Sequence, residues 1–587
     1  MHNNLRSFMQ QLRQERDIVE IETEVDPYLE LAEIHRRVID EGGPALLFKN
    51  VKGSQFPVVT NLFGTKKRVD MAFGPKPEQL VKRLVSMIPE LMPPKPRKLW
   101  AERNTFLELI RFGTKKVASS KAPVLGEYTN QVNMHEIPVL TSWHEDGGPF
   151  ITLPLVYTES PHSKEHNLGM YRIQIHEQNQ TGIHWQIHKG GGFHYHEAEQ
   201  LGQPLPVTLT LGGPPALIVS AIAPLPEAVP ELIFTSMLMG DKLSLVDVPG
   251  HAHSIVAEAE FIFGGVVPPF TRKPEGPFGD HYGYYSLTHD FPVFNINHMW
   301  RRKDAIYPAT VVGKPKQEDF FIGDYLQELM SPLFPVVMNG VKDLWTYGET
   351  GYHSLAGAIV RESYYREAMA HAFRIMGEGQ LTLTKYLMVT DAPCNLRNFK
   401  ELLENILARF RPERDLLIVH DTSMDTLDYT GRKFNHGSKA IMTGLGEPIR
   451  ELPYSYHGEE IAGINKIQAY CGGCLVLSGP SFTEDPDFGE KWIQGISEHF
   501  KEWPLVCLVD DADIAAKQSS FLWTVFTRFD PAHDIYAKSK VQRNKIAFEG
   551  SILIDARMKP FYPGEVETRP DIDQLVTRRW REYFPRG

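Results

Sequence analysis

The sequence is poor in cysteine and contains no long apolar run. Its four cysteines, Cys394, Cys471, Cys474 and Cys507, are too few for a disulfide framework in a chain of 587 residues, which indicates a reducing, cytoplasmic setting. No stretch approaches the roughly 20 apolar residues of a membrane-spanning helix, and the opening MHNNLRSFMQQLRQERD is too charged for a secretory signal. These absences predict a soluble intracellular protein without a membrane span.

Positive charge is also scarce. The net charge is −11 and no stretch forms a basic stripe, so nucleic acid is not expected as a partner. Hydrophobic residues make up 42% of the chain and aromatic residues 11%, a composition typical of globular proteins rather than disordered ones. Because one core rarely serves more than about 250 to 300 residues, a chain of this length predicts several packed domains.

The order of helix and strand patterns predicts a multidomain α/β fold with four regions. Residues 1–118 alternate helix and strand signals, beginning with the amphipathic LRSFMQQLRQ. Residues 119–325 contain many short strand-like runs separated by Gly, Pro and Asn, which favour a barrel or sandwich. The α/β pattern returns in residues 326–490, where NLRNFKELLENILARF is typical of a helix capped by Asn395, and residues 491–587 form an extension. No internal repeat is evident.

A polar row runs through the central region. The stretch NLGMYRIQIHEQNQTGIHWQIHKGGG predicts a hairpin that turns near residue 180 and places Arg172 nearly opposite His188. The polar face of this hairpin comprises Arg172, Gln174, His176, His184, Gln186 and His188. The opposite face is apolar and suits a core, so the polar face meets either water or a ligand.

A second polar feature is the loop RKPEGPFGDHYGYY, which places Glu275 and Asp280 five positions apart. Gly276, Pro277 and Gly279 restrict the backbone between them. One interpretation is a Pro-Gly turn carrying two solvated acids, and the other is a pair of carboxylates held in place for chemistry.

The segments FITLPLVYT, NLGMYRIQ, WQIHKGGG, APLPEAVPE and PEGPFGDHYGYY occur in the order and spacing of the UbiD family of reversible decarboxylases, which use prenylated FMN. The chain resembles this family from GGPALLFKNVKG to about residue 480. The resemblance implies an N-terminal α/β domain, a central split β-barrel that binds flavin and metal, and a C-terminal α/β domain that forms dimers. A homodimer or homohexamer is therefore expected.

The resemblance also implies how a cofactor would be held. Three residues would bind a divalent ion, usually Mn²⁺ and with K⁺ as a further ion, against the flavin phosphate: Asn167, His188 and Glu231. Such a mixed oxygen and imidazole set suits Mn²⁺. Other residues would line the flavin pocket or reach its phosphate, namely Thr152, Gly169, Met170, Arg172, Gln186, Ser220 and Lys439.

By the same resemblance, Arg172, Glu275 and Asp280 are the catalytic residues. Arg172 would orient the substrate carboxylate with its planar guanidinium. Glu275 is expected to be ionised beside Arg172, and Asp280 to deliver the proton that replaces CO₂. That role calls for a raised pKa, from burial or from the neighbouring carboxylate.

The implied activity is that of a carboxy-lyase acting on an aromatic acid. The segments GGPALLFKNVKG and LTSWHEDGGPFITLPL and the long tail look most like the longer members assigned to menaquinone biosynthesis, which implies a dihydroxynaphthoate-type substrate. Acids of the 4-hydroxybenzoate type, as in ubiquinone biosynthesis, and other aromatic or heteroaromatic acids remain alternatives. A flavin prenyltransferase would supply the cofactor. Alternatives of another class are a non-catalytic subunit of a carboxylase complex and a flavin oxidoreductase.

Overall fold

The structure is a computed structural model that describes residues 2–91, 96–185, 190–223, 225, 230–314 and 316–585. The chain forms two compact units. Unit 1 contains residues 1–329 and 564–587, and unit 2 contains residues 330–563. No helix in the described part of the chain is both long and apolar enough to cross a membrane.

Unit 1 begins with a small α/β layer. Its elements are α1 (Leu5–Gln14), β1 (Ile18–Ile21), α2 (Glu30–Asp40), β2 (Ala45–Phe48), β3 (Val58–Thr60), α3 (Lys66–Phe73), α4 (Lys76–Leu91), α5 (Pro96–Ala101) and α6 (Arg103–Leu109). The predicted amphipathic first helix is confirmed, because its spacing buries Leu5, Phe8, Met9 and Leu12 on one face.

The centre of unit 1 is a curled, half-barrel sheet with attached helices. The elements in chain order are β4 (Thr114–Lys116), β5 (Glu127–Thr129), β6 (Phe150–Ile151), β7 (Leu155–Glu159), β8 (His166–Met170), β9 (Ile173–Glu177), β10 (Gln180–Ile183), α7 (Gly190–Gln200), β11 (Leu205–Leu211), α8 (Pro215–Ile222), α9 (Glu231–Met239), β12 (Leu243–Val246), β13 (Ile255–Val256), β14 (Phe261–Val267), β15 (Arg272–Glu275), β16 (His289–Arg301), β17 (Tyr307–Pro308) and α10 (Glu318–Met330).

The main sheet of unit 1 is antiparallel and has ten strands. Its order is β6-β9-β10-β16-β14-β11-β7-β8, with β5 and β15 also paired to the long strand β16. A four-stranded sheet, β1-β2-β3-β17, and a three-stranded sheet, β13-β12-β4, accompany it. A large core of unit 1 joins α2 to the inner face of the main sheet, through residues such as Leu31, Ile34, Ile173 and Phe263. The predicted α/β fold with a central split barrel is confirmed.

The predicted register of the polar hairpin is wrong. In the structure β9 and β10 are joined at residues 178 and 179, and Ile183 pairs with Ile173. The amide of His184 donates to the carbonyl of Arg172 at 3.2 Å, so His184 rather than His188 lies across from Arg172. The prediction placed the turn two residues too late, because the polar run EQNQTG does not show where the strands separate.

Unit 2 begins with a five-stranded sheet flanked by helices. Its elements are α11 (Phe334–Val337), β18 (Val341–Thr346), β19 (Leu355–Val360), α12 (Glu367–Ile375), β20 (Tyr386–Thr390), α13 (Phe399–Leu407), α14 (Pro412–Asp415), β21 (Leu416–Ser423) and β22 (His436–Gly444), and the strand order is β18-β19-β20-β22-β21. The predicted cap of α13 is wrong. The helix begins after Asn398, and the side chain of Asn395 accepts from the Arg397 amide at 3.1 Å instead.

The rest of unit 2 repeats this arrangement. Its elements are β23 (Lys466–Cys471), β24 (Cys474–Ser478), α15 (Phe488–Gln494), β25 (Leu505–Val509), α16 (Gln518–Thr527), α17 (Pro531–Asp534), β26 (Ile535–Gln542) and β27 (Lys545–Asp555), with strand order β23-β24-β25-β27-β26. In both sheets the two outer pairs are antiparallel and the two inner pairs are parallel. The chain therefore contains an internal duplication, although no repeat was evident in the sequence.

A short turn before the fourth strand of each copy shows the match in detail. The segments FRPERD and FDPAHD end in α14 and α17. The Asp415 carboxylate accepts from the Arg411 amide at 2.9 Å, and Asp534 accepts from the Asp530 amide at 2.8 Å. The same hydrogen bond, between residues four positions apart, thus occurs in both copies.

The two copies share one core. Helices α13 and α16 lie in that core with one face of each sheet, and the Phe399 and Phe521 rings are 6.2 Å apart. Separate clusters cover the outer faces, with α12 on the first sheet and α15 on the second. The boundary expected between residues 490 and 491 falls inside the second copy, within α15, and residues 491–555 complete that copy.

After unit 2 the chain returns to unit 1. Helix α18 (Pro570–Tyr583) packs against α2 and contributes Ile572, Val576 and Tyr583 to the unit 1 core. The Tyr583 hydroxyl donates to the Glu30 carboxylate at 2.5 Å. Unit 1 is therefore assembled from both ends of the described chain.

Candidate active site

Arg172 lies at a corner of the main sheet. It follows β8, which pairs with β7, and precedes β9, which pairs with β6 and β10. The chain changes strand neighbours at Tyr171 and Arg172, and a side chain at such a corner can turn away from the regular alternation of the strands. Here the guanidinium reaches the loop that follows β15.

That loop, residues 275–286, is called the acidic loop below. Glu275 ends β15, and Gly276 has φ of +95°, which glycine adopts without strain. A Cβ at Gly279 would lie 2.1 Å from a ring carbon of Trp143, so only glycine fits there. Glycine thus permits both the turn and the close approach of the acidic loop to its neighbours.

The guanidinium of Arg172 joins both acids of the loop. Its Nε and Nη2 donate to the two oxygens of Glu275 at 2.8 and 2.9 Å, and its Nη1 donates to Asp280. Nη2 also donates to Ser286 Oγ at 3.0 Å, and the Phe278 ring lies 4.9 Å from the guanidinium carbon. Glu275 is fully buried and Asp280 is 7% exposed. The structure therefore brings together the three residues expected to be catalytic.

Both acids are held ionised in this arrangement. Burial raises the pKa of Glu275, but the charge and hydrogen bonds of Arg172 and a hydrogen bond from His184 outweigh it and set the pKa at about 2. Burial also raises the pKa of Asp280, but His281 and Arg172 lower it well below its ordinary value. The raised pKa expected for Asp280 is not present while His281 and Arg172 contact it.

His184 is a member of the site to which the sequence assigned no role. Its Nδ1 donates to Glu275 at 3.1 Å, and its ring lies 4.1 Å from that of Phe291. Burial and the charge of Arg172 lower the pKa of His184, so the ring is neutral near pH 7. The correct hairpin register would have found it, since His184 lies opposite Arg172.

Asp146 fixes the acidic loop from the other side. One carboxylate oxygen accepts from the Gly279 amide at 2.8 Å, and the other accepts from the amides of Ser142 and Trp143 at 3.0 and 2.9 Å. Burial raises the pKa of Asp146 to about 7 although these donors and Arg172 favour the charged form. Asp146 therefore ties two loops together through backbone groups.

Gln174, on the predicted polar face, makes a parallel connection. Its Oε1 accepts from the Gly276 amide at 2.9 Å and its Nε2 donates to the Gly147 carbonyl at 2.8 Å. The Gly147 amide donates to the Pro277 carbonyl at 2.7 Å. The polar face thus meets protein loops, not bulk water, at this point.

Two of the three expected metal ligands lie near each other. Asn167 is in β8, and the carboxylate of Glu231, the first residue of α9, accepts from the backbone of the adjacent Leu168. A Cβ at Gly190 would lie 2.3 Å from Asn167 Oδ1, so the glycine-rich segment approaches this amide closely. Burial raises the pKa of Glu231. The third expected ligand, His188, lies outside the described residues, as does Gln186.

The remaining expected cofactor residues are spread over strands and helices. Thr152 donates to the Thr310 carbonyl at 2.6 Å, and buried Ser220 donates to the Ala216 carbonyl at 2.8 Å. Gly169 and Met170 end β8, and a Cβ at Gly169 would lie 2.4 Å from the Tyr171 ring. Glycine is therefore required at this point of the strand.

Lys439 lies in β22 of unit 2. Its ammonium donates to the carbonyl of Thr382, and burial lowers its pKa. Its expected role at the flavin phosphate remains a prediction.

A cavity of about 480 Å³ lies on the other face of β7 and β8. It is lined by Tyr157, His166, Leu168 and His253 among others. Because side chains alternate along a strand, Asn167 points away from this cavity. Neither Arg172 nor the two acids belong to its lining among the described residues.

The chain matches one protein family along most of its length. Residues 9–88 match the N-terminal domain of 3-octaprenyl-4-hydroxybenzoate carboxy-lyase (UbiD), residues 115–315 its Rift-related domain and residues 320–444 its C-terminal domain. The C-terminal match covers only the first copy of the duplicated domain.

Full-length relatives occur in Chlamydia. An uncharacterised protein of Chlamydia trachomatis is 50% identical over 593 residues, covering 99% of this chain and all of the relative. A protein of Chlamydia pneumoniae, named as one of the subunits of 4-hydroxybenzoate decarboxylase, is 49% identical over 585 residues, covering 99% and 98%.

Solved structures share the fold. The UbiD-class enzyme HmfF from Pelotomaculum thermopropionicum, in complex with FMN, superposes with a TM-score of 0.62 at 23% identity, over 78% of this chain and 98% of the enzyme. Vanillic acid decarboxylase from Sedimentibacter hydroxybenzoicus in its closed form gives 0.67 at 21% identity, over 84% and 98%. At this low identity the solved structures show that the fold is shared. Membership of the family is shown by the three matching domains. The chain belongs to the UbiD family of carboxy-lyases.

Proposed function

We propose that the protein decarboxylates an aromatic carboxylic acid with the help of prenylated FMN and a divalent metal ion. The observation that carries this proposal is the buried contact of Arg172 with both Glu275 and Asp280. Burying a guanidinium with two carboxylates, one of which also bonds His281, removes several charged groups from water, which is costly unless the site uses them. In a decarboxylase the guanidinium would bind the carboxylate of the substrate, and one of the two acids would carry the proton that replaces CO₂.

The residues near β8 fit the expected metal ion. Glu231 and Asn167 offer oxygen ligands of the kind that Mn²⁺ accepts. Burial raises the pKa of Glu231, so added positive charge nearby would favour its ionised form. A divalent ion would supply that charge and would hold the flavin phosphate, with His188 as the third ligand and Lys439 as a further contact. When bound, the prenylated flavin supplies the electron sink that no side chain offers.

Arg172 and Asp280 would act in sequence. The substrate carboxylate would take the place of Asp280 on the Arg172 guanidinium, whose planar fork suits a carboxylate. Without that contact, burial and the added negative charge raise the pKa of Asp280, and Asp280 would take up a proton from solvent even though His281 remains beside it. The bond from the ring carbon to the carboxylate then breaks, CO₂ leaves, and Asp280 delivers its proton to that carbon. Glu275, buried against Arg172 and His184, stays ionised and holds the guanidinium.

Two substrate classes are proposed. A dihydroxynaphthoate-type acid of menaquinone biosynthesis is supported by the likeness of GGPALLFKNVKG, LTSWHEDGGPFITLPL and the long tail to the longer family members assigned to that pathway. A hydroxybenzoate-type acid is favoured by the name of the Chlamydia pneumoniae relative, which refers to 4-hydroxybenzoate decarboxylase. Because that name denotes one part of an enzyme, it also suggests partner proteins. Since Arg172, Glu275 and Asp280 are all present, the chain would be the catalytic member of such a complex, located in the cytoplasm.

The test is to co-express the full chain with a flavin prenyltransferase and to purify it with Mn²⁺. Mass spectrometry should find prenylated FMN, and CO₂ should be released from one acid of a panel of hydroxynaphthoates and hydroxybenzoates. Gel filtration with light scattering would test the expected dimer or hexamer. Protein that holds the prenylated flavin and the metal but releases no CO₂ from any acid of the panel would refute the proposal.

A further inference from the structure

The acidic loop folds back on itself into a small hairpin. The Asp280 amide donates to the Tyr284 carbonyl at 3.0 Å, and the Ser286 amide donates to the Phe278 carbonyl at 2.8 Å. These bonds pair the two arms of residues 278–286. Asp280 sits on one arm, and the other arm must be fixed if the carboxyl is to keep its place.

Residues 564–568, called the tail strap, cover this second arm. The Tyr285 amide donates to the Gly564 carbonyl at 2.9 Å, and the Val566 amide donates to the Gly283 carbonyl at 3.1 Å. The tail strap thus adds a third strand to the hairpin of the acidic loop, although about 280 residues of chain separate them.

Side chains of the tail strap reinforce the pairing. Val566 is 3% exposed and packs with Trp143 and Tyr285 in a separate hydrophobic cluster. Trp143 is the ring on which Gly279 rests, and its indole N–H donates to the Val312 carbonyl at 2.9 Å. Trp143 therefore packs between Val566 and Gly279, the residue that precedes Asp280.

The far end of the tail strap is anchored to α2. The Thr568 hydroxyl donates to Glu33 at 2.9 Å, and Glu33 forms a buried ion pair with Arg36 at 2.8 Å. The Arg36 guanidinium lies 4.0 Å above the Trp143 ring and donates to the Ser142 carbonyl at 2.9 Å. The anchor and the acidic loop thus meet at the same tryptophan.

From these contacts we infer that the tail strap is a positioning element of the active site, with Val566 as its positioning residue. It holds the acidic loop so that Asp280 stays within reach of Arg172 and of the reacting carbon. The role in turnover rests on the proposed function, whereas the role in holding the loop does not. The strap lies beyond residue 444, where the family's C-terminal domain match ends.

The test compares Val566→Ala with Val51→Ala in the full chain. Val51 is 2% exposed in the core of unit 1 and loses the same two methyl groups, so it controls for general destabilisation. Hydrogen exchange measured by mass spectrometry should show the amides of residues 278–286 exchanging about tenfold faster or more in Val566→Ala only. At equal flavin content, kcat should fall about tenfold or more in that variant while KM changes little.

Two further variants serve if Val566→Ala does not fold. Val566→Thr keeps the shape of the side chain and should speed the hydrogen exchange of residues 278–286 by a smaller factor. Val566→Ile keeps the apolar contact and should exchange as slowly as the wild type. Unchanged exchange of residues 278–286 in a folded Val566 variant would overturn the inference. Faster exchange in a protein that decarboxylates no acid would uphold the strap and refute the proposed function alone.

Discussion

Arg172 contacts two carboxylates at once and favours the charged form of both. Glu275 accepts the paired hydrogen bonds of Nε and Nη2, whereas Asp280 accepts from Nη1 and also bonds His281. A contact through one nitrogen is easier for an incoming carboxylate to replace than a paired contact. The geometry thus distinguishes the two acids in a way that sequence spacing does not.

Arg172→Lys should lower kcat/KM for decarboxylation about 100-fold or more, because lysine keeps the charge but loses the planar fork. Turnover is compared per bound flavin, since Arg172 is also expected to line the flavin pocket. Steady-state CO₂ release per bound flavin measures the effect. Arg272→Lys is the matched control, since Arg272 forms an exposed ion pair with Glu199 at 2.8 Å in the same unit. Equal losses in the two variants would refute a special role for Arg172.

Asp146 should leave a signature in the pH dependence of stability. Its pKa is raised from 3.8 to about 7 in the folded protein, so the folded state binds the proton more tightly than the unfolded state. Its contribution to stability is full below about pH 4 and is lost as the pH rises through about 7, by up to about 1.4 kcal/mol per pH unit.

Asp146→Asn lacks this titration and serves as the reference. The unfolding free energy of the wild type minus that of Asp146→Asn should therefore fall between pH 4 and 7 and stay constant above about pH 8. Denaturant titrations at several pH values measure this difference. A difference that does not vary with pH would show that the carboxyl keeps its ordinary pKa.

At the scale of helices and strands, the two copies in unit 2 are held together by the core that they share, formed by α13, α16 and one face of each sheet. Phe521 of α16 is fully buried and stacks on Tyr470 of β23 with ring centroids 3.6 Å apart. It also lies 6.2 Å from Phe399 of α13, in the other copy. A ring shared between copies makes their folding interdependent.

Phe521→Ala should destabilise unit 2 by about 3 to 5 kcal/mol, the usual cost of removing a buried phenylalanine ring. Because the core is shared, both copies should lose structure together. Hydrogen exchange of β20 and β25 follows the two sheets separately. Phe561→Ala, at a 51% exposed position, is the control and should cost little. Loss of protection in the second copy alone would contradict a common core.

The sequence predicts the buried face of a helix or strand when the apolar spacing within that one element determines it. The buried face of α1 and the apolar residues Ile173, Ile175 and Ile183 follow from their spacing alone. The register of the hairpin does not follow from spacing, because it depends on which residues of EQNQTG form the turn. The turn lies two residues earlier than predicted, which places His184 instead of His188 opposite Arg172. Local rules do not decide a turn between two polar runs.

At the scale of the whole molecule, the duplication gives unit 2 two corresponding positions. The strand registers align Leu355, Tyr386 and Ala440 with Cys474, Leu505 and Ile552. Lys439 of the first copy therefore corresponds to Ser551 of the second, whose hydroxyl donates to the Phe500 carbonyl at 2.6 Å. Of these two corresponding residues, Lys439 is a cation and Ser551 is not.

Because we propose that the buried ammonium of Lys439 contacts the flavin phosphate, Lys439→Met should reduce flavin retention about tenfold or more. Ser551→Ala, the corresponding change in the second copy, should leave flavin retention unchanged. Equilibrium dialysis with FMN measures both. Full FMN binding by Lys439→Met would remove Lys439 from the phosphate site.

The three charged residues of the site were predictable from the sequence, but the repeat and the tail strap were not. Arg172, Glu275 and Asp280 stand in recognisable segments, whereas the repeat is visible in the strand order and, in the sequence, in a match as short as FRPERD with FDPAHD. The contact of Val566 with Trp143 joins positions more than 400 residues apart, and no local pattern encodes it. Long-range contacts of this kind require the assembled fold.

The return of the chain to unit 1 bears on how the protein is made. Residues 564–568 leave the ribosome only after all of unit 2, which at about 5 to 20 residues per second takes roughly 10 to 50 s. During that interval the tail strap cannot yet cover the edge formed by Tyr284 and Tyr285. By our inference, the acidic loop of a nascent chain gains its third strand only after Val566 has been translated, so full activity would come late in synthesis.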